Sequence, residues 1–326
     1  MIYCNESIMT GDGQMIKIDL ITGFLGSGKT TFIKRYVDWL MEHRLRVGIL
    51  ENDFGAVNVD MMLLNDLQNS RCDIETVAGA CDADCHKRRF KTKLIAMGMS
   101  GYDRVIVEPS GIFDTDEFFD TLREEPLDRW YEIGSVITVV DAALDTNMSE
   151  QSEYIFASQL ANAGKVIMSK TDVVSDEKLE ETVQYVRSVC EKYCGRMLGS
   201  DIITKKPEEI TVMDMSEIAE CGYKRADFVK RFKEENGYGS LYYMKNDIPL
   251  ETLKQRAEMI FKDEECGKVY RIKGFVKNDG QWYEFNADAS SISASPAEVG
   301  QDIIIVIGEQ LNRNAVDAYF KPEQAL

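Results

Sequence analysis

No apolar run in this sequence approaches the roughly 18 residues that a membrane-spanning helix needs. Residues 1–14 also lack the basic-then-apolar pattern of a secretory leader. The expected setting is the cytoplasm, with no membrane partner. Cysteine is thin, at eight in 326 residues. That density does not support a disulfide scaffold, and in a reducing compartment such residues read as free thiols or metal ligands. Basic charge is short as well, with 38 Lys and Arg against 56 Asp and Glu and a net charge of −18. The first 221 residues carry 23 basic against 39 acidic side chains, the remainder 15 against 17. A surface of that sign repels nucleic acid, so any phosphate must be gripped locally rather than by a basic face. Histidine is down to two.

What remains is globular in composition, 44% apolar and 29% charged, and long enough for about two domains with separate cores. The clearest stretch is Gly23-Phe24-Leu25-Gly26-Ser27-Gly28-Lys29-Thr30. Its G-x-x-x-x-G-K-T spacing follows an apolar run at 16–21 and precedes an amphipathic stretch at 31–42, with Phe32, Ile33, Tyr36, Val37 and Leu40 at helical spacing. Strand, glycine-rich turn and helix N-terminus are what a phosphate loop requires. The glycines let backbone N–H groups turn inward, and the helix dipole adds positive potential. Gly23, Gly26, Ser27 and Gly28 then form the cradle. Lys29 reaches the β- and γ-phosphates, and the Thr30 hydroxyl takes one position on Mg²⁺.

Further apolar runs at 46–50, 104–107, 136–140 and 165–168 alternate with helix-like segments at 150–162 and 176–194. That alternation predicts an α/β fold, a doubly wound and mostly parallel sheet. Glu51-Asn52-Asp53-Phe54-Gly55 and Glu108-Pro109-Ser110-Gly111 follow two of those strands, at the sheet end where ligands bind. Glu108 is placed to hold Mg²⁺ and support hydrolysis, with Lys29 as the other catalytic candidate. Gly111 lets a backbone N–H approach the γ-phosphate. The acidic stretch at 112–126, with Phe113, Phe118 and Phe119, reads equally as a phosphate-ordered switch and as core. From about residue 222 the pattern becomes a smaller α+β domain, with helices at 224–235, 250–262 and 312–320. Its strands fall at 241–244, 269–276, 282–286 and 303–307, with a hairpin turn at Asn278-Asp279-Gly280. The expected organisation is a tail at 1–14, a nucleotide domain at 15–221 and a second domain at 222–326.

Ser169-Lys170-Thr171-Asp172 closes the fifth apolar run. A carboxylate at Asp172 accepts from both N1–H and the exocyclic amine of guanine, which adenine does not offer. The Lys170 stem lies over the base. The element resembles N-K-x-D of GTPases, with Ser169 where Asn is usual, so one polar tie between base and loop is weakened or replaced.

Together with Thr31, these four elements resemble the CobW-type GTPases, relatives of the nickel-enzyme maturation GTPases. Arg271-Ile272-Lys273-Gly274-Phe275 is similar to a strand of that family's second domain. The resemblance implies a GTP-binding, GTP-hydrolysing metallochaperone or metal-cofactor insertase. It would use GTP and Mg²⁺ and act on a client metalloenzyme, with the oligomeric state open. Two departures stand out. The family's C-x-C-C is reduced here to Cys81 and Cys85 within Ala80-Cys81-Asp82-Ala83-Asp84-Cys85-His86, and Ala56 replaces a second acid. Cys81 and Cys85, four apart, share a face if helical. They are candidate ligands for Zn²⁺ or another thiophilic divalent ion, with Cys72, His86 and Glu51 as further candidates. The competing readings are a nucleotide switch that docks on a partner enzyme without carrying metal, and a small-molecule kinase. Asp172 and the lack of a basic lid disfavour the kinase.

Overall fold

Ile16–Thr22 is buried at every position but Lys17, with Asp19 and Thr22 among the buried residues, because both of its faces are covered, and it forms the central strand β1 of a sheet. The computed structural model describes residues 15–52, 64–77, 83–110, 115–224, 238–244, 248–289, 291–297, 300 and 302–320. The chain divides into two units, Met1–Val229 and Lys230–Leu326, a few residues beyond the expected boundary at 221.

In the first unit, β2 (Val47–Asn52), β3 (Cys72–Val77), β4 (Arg104–Pro109), β5 (Tyr131–Asp141), β6 (Lys165–Ser169) and β7 (Ile202–Ile203) join β1 in the order β3-β2-β4-β1-β5-β6-β7. Every pairing is parallel. Helix α1 (Lys29–Glu42) lays Phe32, Ile33, Tyr36, Val37 and Leu40 on one face of this sheet. The other face is covered by α2 (Ala83–Gly98), through Phe90, Leu94 and Met97, and by α3 (Thr115–Leu122). The helical segment α4 (Leu127–Trp130) precedes β5, and α5 (Glu150–Ala161) and α6 (Asp176–Cys194) flank β6 in sequence. Helix α7 (Val212–Ala219) adds Met215 and Ile218 to the α1 face, ordering part of a stretch without clear periodicity. The doubly wound parallel sheet read from the sequence is therefore present, with two further strands. β3 escaped the sequence reading because its Cys-Asp-Ile-Glu-Thr-Val alternates like an edge strand and lacks a continuous apolar run.

In the stretch at 112–126, the described phenylalanines are core. Phe118 and Phe119 are buried against the α2 face, and Phe113 lies outside the described residues.

The second unit is a five-stranded antiparallel sheet in the order β11-β10-β9-β12-β8, built from β8 (Tyr238–Met244), β9 (Lys268–Asn278), β10 (Gln281–Ala287), β11 (Ile292–Ala297) and β12 (Ile303–Glu309). Asp279 and Gly280 both take positive φ, 49° and 83°, and make the tight β9–β10 turn. Helices α8 (Leu250–Lys262) and α9 (Arg313–Phe320) pack Leu253, Ala257, Ile260, Val316 and Phe320 onto Ile272, Phe285, Ile304 and Val306. The helix expected at 224–235 lies outside the described residues except for Lys224.

Candidate nucleotide-binding site

Helix α1 begins differently from its neighbours. α5 and α6 start on serine caps, Ser149 and Ser175, with acidic residues in their first turns. α1 starts on Gly28, at φ 83°, with no side-chain cap and no acid in its first turn. Its first N–H groups and positive dipole end are thus left for an external anion. Gly23 is required for a different reason. A Cβ there would stand 2.1 Å from the carbonyl oxygen of Val139, so only glycine lets the loop pass β5.

Lys29 is buried, and its ammonium donates to the carbonyl oxygens of Gly23 at 2.9 Å and Phe24 at 3.3 Å. The Thr30 hydroxyl donates to Glu108 Oε1 at 3.2 Å, joining the loop to the end of β4. Ser27 Oγ, Thr22 Oγ1 and both amide atoms of Asn52 are buried without a hydrogen-bond partner among the described residues. They stand in the loop and at the carboxyl ends of β1 and β2. Buried polar atoms of this kind are stable when a ligand or ordered water completes them. The hydroxyl of Thr30 and the carboxylate of Glu108 are hard oxygen donors, which fit Mg²⁺ rather than a thiophilic ion. Mg²⁺ held by these two residues would supply charge neutralisation at the phosphate oxygens. Thr31 is exposed, and Gly111 lies outside the described residues.

Glu51 stands near the carboxyl end of β2. It is the register partner of Glu108, and Ile49 and Ile106 belong to the α1-side core. The two-residue period of a strand therefore places both carboxylates on the α1 face. α2, which carries the half-buried Cys85 and the buried His86, covers the opposite face. Cys72 is separated too. It opens β3, opposite Val47 at the amino end of the sheet, and packs in the α1-side core. Burial there pushes its thiol up to about 12, which disfavours the thiolate a metal needs. Among the described residues, no group of three His, Cys, Asp or Glu side chains is placed to hold a metal ion. Cys81 and Asp53 lie outside them.

On the other side of the loop, the Ser169 hydroxyl donates to the carbonyl oxygen of Ser27 at 2.7 Å, with that of Val140 at 3.2 Å. The tie left open by the absence of asparagine is thus remade by a hydroxyl. Lys170, at φ 54°, pairs with Asp141 at 2.6 Å, and Asp172 is exposed just beyond. Sequence reading did not select Asp141. Its only signal is an acid at the end of an apolar run.

Glu108→Gln keeps an oxygen for Thr30 but removes charge. It is expected to leave triphosphate affinity within about threefold while slowing turnover by about 10²-fold, read by binding and single-turnover assays. Wild-type turnover would place the essential acid elsewhere.

A phosphate loop at a switch point of an all-parallel sheet, with an acid on the neighbouring strand, defines a P-loop nucleotide-binding protein. The family profile for the CobW/HypB/UreG nucleotide-binding domain matches residues 17–194, and the chain belongs to that family. It is 28% identical over 216 residues to zinc chaperone YjiA of Escherichia coli strain K12, covering 59% of this chain and 66% of that protein, just under two thirds of its length. Zinc-regulated GTPase metalloprotein activator 1 of Schizosaccharomyces pombe is 23% identical over 350 aligned positions, 91% of this chain and 83% of its own. The crystal structure of Zn(II)-bound YjiA GTPase from E. coli aligns over 94% of this chain and 98% of that one, at 19% identity and a TM-score of 0.42. No described helix is long and apolar enough to cross a membrane.

Proposed function

We propose that this chain binds and hydrolyses GTP, and that its nucleotide state gates the transfer of a thiophilic divalent metal, zinc foremost, to a client metalloenzyme. The observation that carries the nucleotide half is the Ser169–Ser27 hydrogen bond. It makes the phosphate cradle and the Ser169–Asp172 loop one connected unit, so that base identity and phosphate position are read together. Lys29 serves the β/γ-phosphates, Thr30 and Glu108 the Mg²⁺ end, and Lys170 and Asp172 the guanine. The metal half is supported by the zinc chaperones among the relatives and by Cys81 and Cys85. Cys85 sits near the start of α2, shortly after the carboxyl end of β3 in sequence.

A second reading, a nucleotide switch that docks on its partner without cargo, is favoured by one observation. Among the described residues no group of three His, Cys, Asp or Glu side chains is placed to hold a metal ion, and Cys72 packs in the α1-side core.

Asp172→Asn tests the base assignment. It is expected to weaken GTP by about 10²-fold and to improve xanthosine triphosphate, because an amide donates where xanthine presents a carbonyl. Equal binding of ATP and GTP by the wild-type protein would contradict the assignment of Asp172.

A further inference from the structure

We propose that Asp141 is a positioning residue for base selectivity. It anchors the Lys170 ammonium at the end of β5, so that the lysine presents its methylene stem to the base rather than its charge to the phosphates. The proposal rests on the guanine assignment above. Asp141 closes β5 as the register partner of Ser169. One carboxylate oxygen accepts from Lys170 Nζ at 2.6 Å, and the other accepts from the backbone N–H of Ala143 at 2.8 Å. The second bond fixes the carboxylate to the chain itself, so Asp141 is the anchor and Lys170 the group held. The Asp141 side chain is 16% exposed and that of Lys170 38%.

Lys170 needs holding. Its φ of 54° is a left-handed conformation that a lysine adopts at some cost. The backbone around it is pinned, with the Ser169 carbonyl accepting from Ala142 N–H at 3.0 Å and the Lys170 carbonyl from Val173 N–H at 3.2 Å. On its near side stands Ser169, bonded into the phosphate loop, and two residues on stands Asp172. Beside a loop that holds a triphosphate, an unanchored ammonium would be drawn toward the phosphate oxygens, where Lys29 would already act. Such a move would lift the stem from the base and trade selectivity for undiscriminating phosphate affinity. The Asp141 carboxylate removes that option. As a partly exposed ion pair it contributes little to stability, so its effect belongs in selectivity and not in the melting temperature.

The test is calorimetric titration of the full chain with GTP, ATP and inorganic tripolyphosphate. The proteins are wild type, Asp141→Asn, Lys170→Met and the double variant. In each single variant the GTP-to-ATP affinity ratio is expected to fall about tenfold, the scale of one well-placed contact, while tripolyphosphate binding stays within about twofold or tightens. The double variant should be no worse than either single one, since Asp141 acts through Lys170. An unchanged ratio in Asp141→Asn, with the wild type still preferring GTP, overturns the proposal alone. So do additive losses in the double variant, or loss of tripolyphosphate binding together with GTP. Should Asp141→Asn fail to fold, Asp141→Ser, which also removes the carboxylate, is read by the same ratio and decides. A wild type without preference for GTP overturns the guanine assignment and this proposal with it.

Discussion

Lys29→Ala is expected to lower affinity for GTP by about 10²–10³-fold and to abolish measurable turnover, with a much smaller loss for GDP. Lys29 is the only cation between Gly23 and Thr30. Its ammonium is already buried against the carbonyl oxygens of Gly23 and Phe24, held inside the loop rather than extended into solvent. Exchanging two neutral carbonyl partners for the charged β- and γ-oxygens is the favourable step, and alanine cannot make it. The α1 dipole and the loop N–H groups remain in the variant, which is why weaker binding of GDP should persist. Titration of both nucleotides measures the split. Unchanged GTP hydrolysis would show that the phosphate site lies elsewhere.

The second large effect is structural. Arg104→Ala is expected to destabilise the first unit by about 3–5 kcal/mol, because it leaves a buried carboxylate without its counter-charge. At the amino end of the sheet, Arg104 pairs with Asp19 at 3.4 Å and donates to Tyr36 OH at 2.9 Å and to the Ala219 carbonyl at 2.9 Å. Tyr36 in turn donates to Asp19 at 2.8 Å, and Ser135 N–H donates to the other Asp19 oxygen at 2.7 Å. The network clips α1 and the end of α7 to β1, β4 and β5, and α1 carries the phosphate loop. Burial outweighs the attraction of Arg104 and holds Asp19 above the ordinary carboxylate range. Without the guanidinium it rises further. A raised carboxyl gives stability at low pH that is lost as pH rises through its folded value, from the unfolded value of about 3.9 upward. The deficit of the variant should therefore be largest near pH 8 and shrink on acidification. Denaturant midpoints across that range measure it, and a pH-independent deficit would mean that Asp19 is not the group exposed by the change.

Features that depend on neighbours in sequence were legible before the structure. β1, the phosphate loop and α1 form one continuous signal, and Glu108 and Asp172 each follow an apolar run directly. Pairings across the sheet were not. Glu51 and Glu108 are 57 residues apart and become neighbours only because β4 inserts between β2 and β1. The two-residue strand period then puts both carboxylates on the face that carries Ile49 and Ile106. Cys72 looked available as a ligand because β3 carries no strong strand pattern, and its burial at the far sheet end follows from the pairing with Val47. Ser169 was visible as a departure from asparagine, but its replacement bond runs to a backbone oxygen, which leaves no mark in the side-chain pattern. Asp141 was not selected because its partner Lys170 follows the strand that pairs with β5, 29 residues away in sequence.

The central claim is that nucleotide and metal are coupled, and zinc affinity measured with and without a non-hydrolysable GTP analogue tests it most directly. Wild type and the Cys81→Ser/Cys85→Ser variant are compared by competition with a chromophoric chelator. The wild type is expected to change its zinc affinity by a factor on the order of 5–150 when the analogue is bound, with the analogue's affinity changed by the same factor when zinc is present. Binding should release protons and weaken as pH falls, as thiolate ligation requires. The double variant should lose both the binding and the coupling. Equal zinc binding in all four cases would contradict the account and leave a guanine-nucleotide switch without metal cargo.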